Sequence, residues 1–83
     1  MSVAAHFVLY SRPGCGLCEE MLGELGQLAA VRGMVIDVIH VDTDSTAKVR
    51  FGHKIPVLLF NGELVCHGRL DPAEVHKALA HHR

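Results

Sequence analysis

Two cysteines spaced C-x-x-C, Cys15 and Cys18, stand where a strand-like run gives way to a helical repeat. This junction constrains the chain more than any other feature. Before it, Ala4 to Ser11 (AAHFVLYS) is a nearly continuous apolar run, the pattern of a central strand buried on both faces. Arg12-Pro13-Gly14 breaks the run. From Cys15 to about Ala30, apolar side chains recur at Leu17, Met21, Leu22, Leu25, Leu28 and Ala29, at helix offsets of three and four. Glu19 and Glu20 are placed in the first turn, where acids suit the helix dipole. Arg32-Gly33 ends the pattern, with Gly33 a natural left-handed cap.

The remaining elements follow from the same signals. Met34 to Val41 (MVIDVIHV) reads as a second strand, so strand, helix and strand imply a parallel pair with a right-handed crossover. The polar stretch Asp42 to Gly52 has room for one short helix between Thr43 and Phe51. Val57 to Phe60 is a third strand, Asn61-Gly62 a hairpin turn and Leu64 to His67 the returning strand. Asp71-Pro72-Ala73-Glu74 combines an N-cap, a proline at the first helical position and an acid at the third. A final helix runs from there to about Ala80. The fold class expected is α/β: a four-stranded mixed sheet flanked by helices, in the order β-α-β-(α)-β-β-α.

An 83-residue chain is expected to make one domain, residues 1–83, burying roughly 60–65% of its unfolded surface. Composition removes several functional classes. Apolar residues make up 49% and charged residues 20%, which excludes a disordered or low-complexity chain. The formal net charge of −1 argues against a nucleic-acid binder or a polybasic membrane binder. No apolar run approaches the roughly 18–20 residues of a membrane span. Residues 1–10 lack a basic stretch and His6 interrupts their apolar segment, unlike a signal peptide. Three cysteines are too few and odd in number for a stapled secreted scaffold, so a cytoplasmic location is expected.

At the junction, Cys15 falls at a helix N-terminus, where unpaired N–H groups and the dipole stabilise a thiolate. It is the candidate nucleophile, and Cys18, one turn deeper, the candidate resolving thiol. Arg12 adds a nearby positive charge. A zinc site would need two further ligands, and Cys66-His67 is an awkward source because strand neighbours point to opposite faces. Cys66 itself reads as a small packed hydrophobe, with a third redox thiol as its functional alternative. The seven histidines show no i, i+4 pair, and His81-His82 fall on a terminus expected to fray. Lys48, Arg50, His53 and Lys54 form a local basic cluster that reads first as a solvated loop.

The stretch Ser11-Arg12-Pro13-Gly14-Cys15-Gly16-Leu17-Cys18 resembles the active-site segment of the thioredoxin superfamily. Downstream, Lys54-Ile55-Pro56-Val57-Leu58-Leu59-Phe60-Asn61-Gly62-Glu63 is similar to the thioredoxin and glutaredoxin stretch in which a cis-proline opens the third strand. Ile55 and Pro56 match the pair at that bond, which in the family packs beside the C-x-x-C and pairs with bound peptide or glutathione. Starting directly on the strand before the cysteines makes the chain similar to a short glutaredoxin. Arg12 stands where glutaredoxins commonly place a lysine that meets the glutathione carboxylate. Cys15-Gly16-Leu17-Cys18 differs from both C-P-Y-C and C-G-P-C, Cys66-His67-Gly68 replaces a Gly-Gly pair, and Leu9 replaces the buried aspartate of thioredoxins.

The resemblance implies a thiol–disulfide oxidoreductase acting on disulfide-containing proteins or glutathione mixed disulfides. Cys15 and Cys18 would be catalytic, and Arg12, Leu17, Lys54, Ile55 and Pro56 would contact substrate, with Tyr10 joining the apolar rim. No metal and no tightly bound cofactor are expected; glutathione would serve as co-substrate, or a thioredoxin-type reductase as partner. Two alternatives stand beside this reading. One is a 2Fe–2S or metal-binding glutaredoxin-like carrier, and the other a redox-inactive interaction module on the same fold.

Overall fold

Strand β1 (His6–Ser11) is interior, as its apolar run demands, in a sheet of order β2-β1-β3-β4. The computed structural model describes residues 5–81. Helix α1 (Gly16–Arg32) carries the chain from β1 to β2 (Val35–His40), and the two strands pair in parallel from His6↔Val35 to Ser11↔His40. After β2 come a single 3-10 turn (Val41–Thr43) and α2 (Ser45–Phe51), capped by Asp44, whose carboxylate accepts the Thr46 and Ala47 N–H groups. Strands β3 (Val57–Phe60) and β4 (Glu63–His67) form an antiparallel hairpin, with β3 also antiparallel to its neighbour β1. Asn61 and Gly62 both take positive φ at its tip, the backbone that a two-residue hairpin loop requires. Helix α3 (Pro72–Ala80) ends the fold behind the Asp71 cap, which accepts from Ala73 and Glu74 N–H.

Register decides which side chains make the core. Phe7 and Leu9 of β1 lie opposite Phe60 and Leu58 of β3, on one face of the sheet. They pack with Met21 and Leu25 of α1 and Val75 of α3; of these, Phe60 alone exceeds 1% exposure, at 9%. Phe7 and Phe60 stack with ring centroids 4.7 Å apart. Burying side chains of this size contributes about 1.5–3 kcal/mol each, so this face carries most of the driving force. The opposite face is thinner. There Tyr10 meets Phe51 of α2 at 5.2 Å between centroids, with Arg50 stacked over Phe51.

The expected topology is observed, and several local expectations change. β1 spans His6–Ser11 rather than 4–11, and residue 4 lies outside the described residues, as does His82. Only Phe7 and Leu9 of β1 are fully buried; Val8 and Tyr10 are half-buried, because the short helix α2 covers less of its face than α1 and α3 cover of theirs. α1 starts one residue later than expected, with Cys15 as its cap, and it runs on to Arg32. Of the two acids placed in its first turn, only Glu19 is there. β2 is an edge strand despite its apolar composition, leaving Val35 and Val38 44% and 48% exposed. His6 of β1 and Asp37 of β2 are hydrogen-bonded across that pair. Among the described residues no helix is long and apolar enough to cross a membrane.

Candidate active site

The C-terminal ends of β1 and β2 meet the start of β3 and the end of β4 at one edge of the sheet. Ser11 pairs with His40, Tyr10 with Val57, and Val57 with His67. Extending the β1–β3 register by one residue sets Pro56 opposite Ser11. In open α/β sheets the carboxyl ends of strands, beside helix N-termini, are where ligands are bound. Arg12, Lys54, Ile55 and Pro56 fall within three residues of the strand ends at this edge, and Cys15, Leu17 and Cys18 lie at the start of the helix that follows β1.

The turn after β1 is built to present Cys15. Gly14 takes φ +76°, a conformation that L side chains rarely adopt, and the Cys15 N–H reaches the Arg12 carbonyl at 3.3 Å. Cys15 remains extended and is the N-cap of α1, with its Sγ accepting the Cys18 N–H at 3.2 Å. A cysteine thus takes the role usually given to Ser, Thr, Asp or Asn. The donated N–H and the helix dipole both favour negative charge on that sulfur. Cys15 and Cys18 are paired at disulfide distance, with Cα atoms 5.2 Å apart. Their environments differ sharply: Cys15 is half-buried, whereas Cys18 is only 3% exposed.

The Ile55–Pro56 bond is cis, as the resemblance implied. Pro56 is buried and Ile55 half-buried. The Pro56 carbonyl accepts the Gly68 N–H at 2.8 Å, which ties the loop after β4 to the start of β3. Leu17, 41% exposed between the cysteines, borders a small cavity of about 120 Å³ with Gly68, Arg69 and Leu70. Lys54 is exposed; its backbone N–H bonds the Phe51 carbonyl, and its side chain makes no ion pair among the described residues.

Arg12 is where structure adds most to the sequence reading. Its guanidinium makes a bidentate pair with Asp42, both N···O distances being 2.8 Å. The side chains of Arg12 and Asp42 are 38% and 32% exposed. His40 adds a third contact, Nε2 to Asp42 Oδ2 at 3.3 Å. The Arg12 guanidinium holds the Asp42 carboxyl at about 2, with smaller help from His40 and Lys48. In return, the hydrogen bonds to Asp42 raise Arg12 further. The cation that sequence placed near the cysteines therefore has an internal counter-ion. Asp42 and His40 were not singled out by sequence; it is the observed Ser11↔His40 register that carries residues 12 and 42 to the same end of the sheet.

Cys66 lies on β4 opposite Leu58, half-buried against the core. Burial pushes its thiol up, and the charges of Asp71 and Glu74 add to that against a backbone hydrogen bond from Asp71. It is a packed residue rather than a reactive thiolate at neutral pH. Among the described residues no group of three or more His, Cys, Asp or Glu is arranged to hold a metal ion.

Comparison with known proteins agrees with this geometry. A search of curated proteins returns no match. Among solved structures, the chain is similar to protein Ne2328 from Nitrosomonas europaea, with TM-score 0.84, 28% identity and 93% of each chain covered. It is also similar in fold to thioredoxin 1 from Thermosipho africanus TCF52B, with TM-score 0.62, 16% identity and 90% of each chain covered. A malarial protein matches with TM-score 0.63 and 14% identity over 96% of this chain and 98% of that one. The profile of the Glutaredoxin-like domain (DUF836) matches residues 6–80. With this match over nearly its whole length, and a mixed four-stranded sheet of thioredoxin-like topology, the chain belongs to the glutaredoxin-like domain family DUF836.

Proposed function

We propose that this protein is a thiol–disulfide oxidoreductase that reduces disulfide-containing proteins or glutathione mixed disulfides in the cytoplasm. The observation that carries the reading is the asymmetry of the pair: a half-buried Cys15 Sγ that caps α1 and accepts the Cys18 N–H, next to a Cys18 that is 3% exposed. A nucleophile must be accessible and stabilised as thiolate, and a resolving thiol must be close but shielded from external disulfides.

In the proposed cycle the Cys15 thiolate attacks one sulfur of the substrate disulfide. An S–S bond forms between Cys15 and that sulfur while the substrate S–S bond breaks, and the departing thiolate takes up a proton. Cys18 then loses its proton and attacks Cys15 Sγ, releasing the second substrate thiol. The substrate gains two electrons and two protons, and Cys15–Cys18 is left oxidised. A dithiol or two equivalents of a small thiol such as glutathione, themselves oxidised to a disulfide, return the pair to the reduced form; a thioredoxin-type reductase would serve the same end. Ile55-Pro56 and Leu17 supply backbone and apolar surface for the substrate, with Lys54 on the outer rim.

Trapping distinguishes the two cysteines. Cys15→Ser should abolish reduction of a peptide disulfide, and Cys18→Ser should accumulate a covalent Cys15–peptide adduct visible by intact mass. Equal activity in the two variants, or adducts on Cys18 in Cys15→Ser, would overturn the assignment of roles.

A further inference from the structure

Arg12 closes the turn that presents Cys15 and forms part of the wall of a groove of about 340 Å³ that reaches Cys18. An uncommitted guanidinium there would attract a carboxylate on an incoming disulfide. It is committed: both of its hydrogen bonds go to Asp42, in the fork geometry that guanidinium and carboxylate share. His40 fixes the same carboxylate from β2, and the Thr43 hydroxyl bonds the His40 carbonyl at 2.7 Å, bracing the turn that carries Asp42. Glu19 adds a further acid to the groove wall, whose apolar members are Leu22 and Val38. A substrate carboxylate reaching Arg12 therefore meets a cation whose charge Asp42 already balances, with Glu19 on the same wall.

We propose that Asp42 is a specificity-determining positioning residue: as internal counter-ion to Arg12, it makes the C-x-x-C mouth discriminate against disulfides that carry a carboxylate near the sulfur, glutathione mixed disulfides among them. The preferred substrates are peptide disulfides with neutral surroundings. This narrows the substrate class of the exchange reaction above and rests on that reading.

The test uses one peptide cysteine capped either as its glutathionyl or as its hydroxyethyl mixed disulfide. The glutathionyl-to-hydroxyethyl ratio of kcat/KM is measured in the wild type, Asp42→Asn and Asp42→Asn/Arg12→Ala. A ratio within one variant is insensitive to partial loss of folded protein. Freeing one exposed cation should raise the ratio about two- to five-fold in Asp42→Asn. The gain should shrink in about 0.5 M salt and vanish when Arg12 is also removed. An unchanged ratio, or a gain that survives Arg12→Ala, overturns the proposal. Binding of S-methylglutathione, followed by amide chemical shifts, requires no turnover. Tighter binding by Asp42→Asn, lost in the double variant, upholds the counter-ion role even where neither disulfide is reduced, an outcome that would refute exchange alone. Binding no tighter than wild type refutes it.

Discussion

Replacing Leu25 by alanine should cost far more than replacing Leu22, three residues away on the same helix. Leu25 is 0% exposed, pressed into the Phe7–Leu9–Leu58 cluster, whereas Leu22 is 39% exposed. Losing roughly three buried carbon groups at about 0.8 kcal/mol each removes about 2.4 kcal/mol of transfer free energy. A partly collapsed cavity adds about 1–2 kcal/mol, for a total of about 3–4 kcal/mol. At Leu22, scaling the transfer contribution by its buried fraction gives about 1.5 kcal/mol, with no cavity to add. A chain of 83 residues has a total stability of roughly 4–12 kcal/mol, so Leu25→Ala takes away a large share of it. The melting temperature should fall by roughly 12–30 °C. The assay is urea unfolding of the reduced protein followed by circular dichroism, accepting values only where the variants share one m-value. Equal losses for Leu22→Ala and Leu25→Ala would show that α1 does not rest on the sheet through the Leu25 face.

Two further predictions concern ionisation. Asp42 is held at about 2 against an ordinary 3.8, so its contribution to stability is complete above 3.8 and is lost as pH falls toward 2. The urea midpoint of the wild type should drop across that window more steeply than that of Asp42→Asn, and superimposable curves would dismiss the ion pair as a source of acid sensitivity. Cys66, pushed up by burial, should alkylate more slowly at neutral pH in the folded protein than in urea, and the gap should narrow as pH rises. Equal rates at neutral pH would contradict its packed position.

Local signals in the sequence were strong where one short segment decides its own geometry. Asp71-Pro72 starts α3, Asn61-Gly62 turns the hairpin, and the break at Arg12-Pro13-Gly14 separates β1 from α1. Cis geometry at Ile55–Pro56 was legible only through the likeness of its surroundings to known proteins. What stayed hidden depends on segments far apart in the chain. The Arg12–Asp42 pair spans 30 positions and exists because the Ser11↔His40 register delivers both residues to one edge. Strand position is hidden for the same reason. VIDVIH is as apolar as an interior strand, but neighbours, not composition, decide that it sits at the edge. The C-x-x-C and the order of its two thiols were readable from their place at a helix start, while the extent of the difference was not: Cys18 is only 3% exposed, a burial set by tertiary packing that no spacing rule contains.

The atom proposed to do the chemistry is also the atom that caps the start of the helix. Because Cys15 Sγ accepts the Cys18 N–H, whatever bonds to that sulfur must keep, bend or give up a capping hydrogen bond. Each covalent state of Cys15 is thereby written into the first turn of α1. The Cys18 amide becomes a built-in gauge, readable residue by residue in an isotope-labelled sample while turnover proceeds. A protein of this design needs no attached dye to report which partner it is holding.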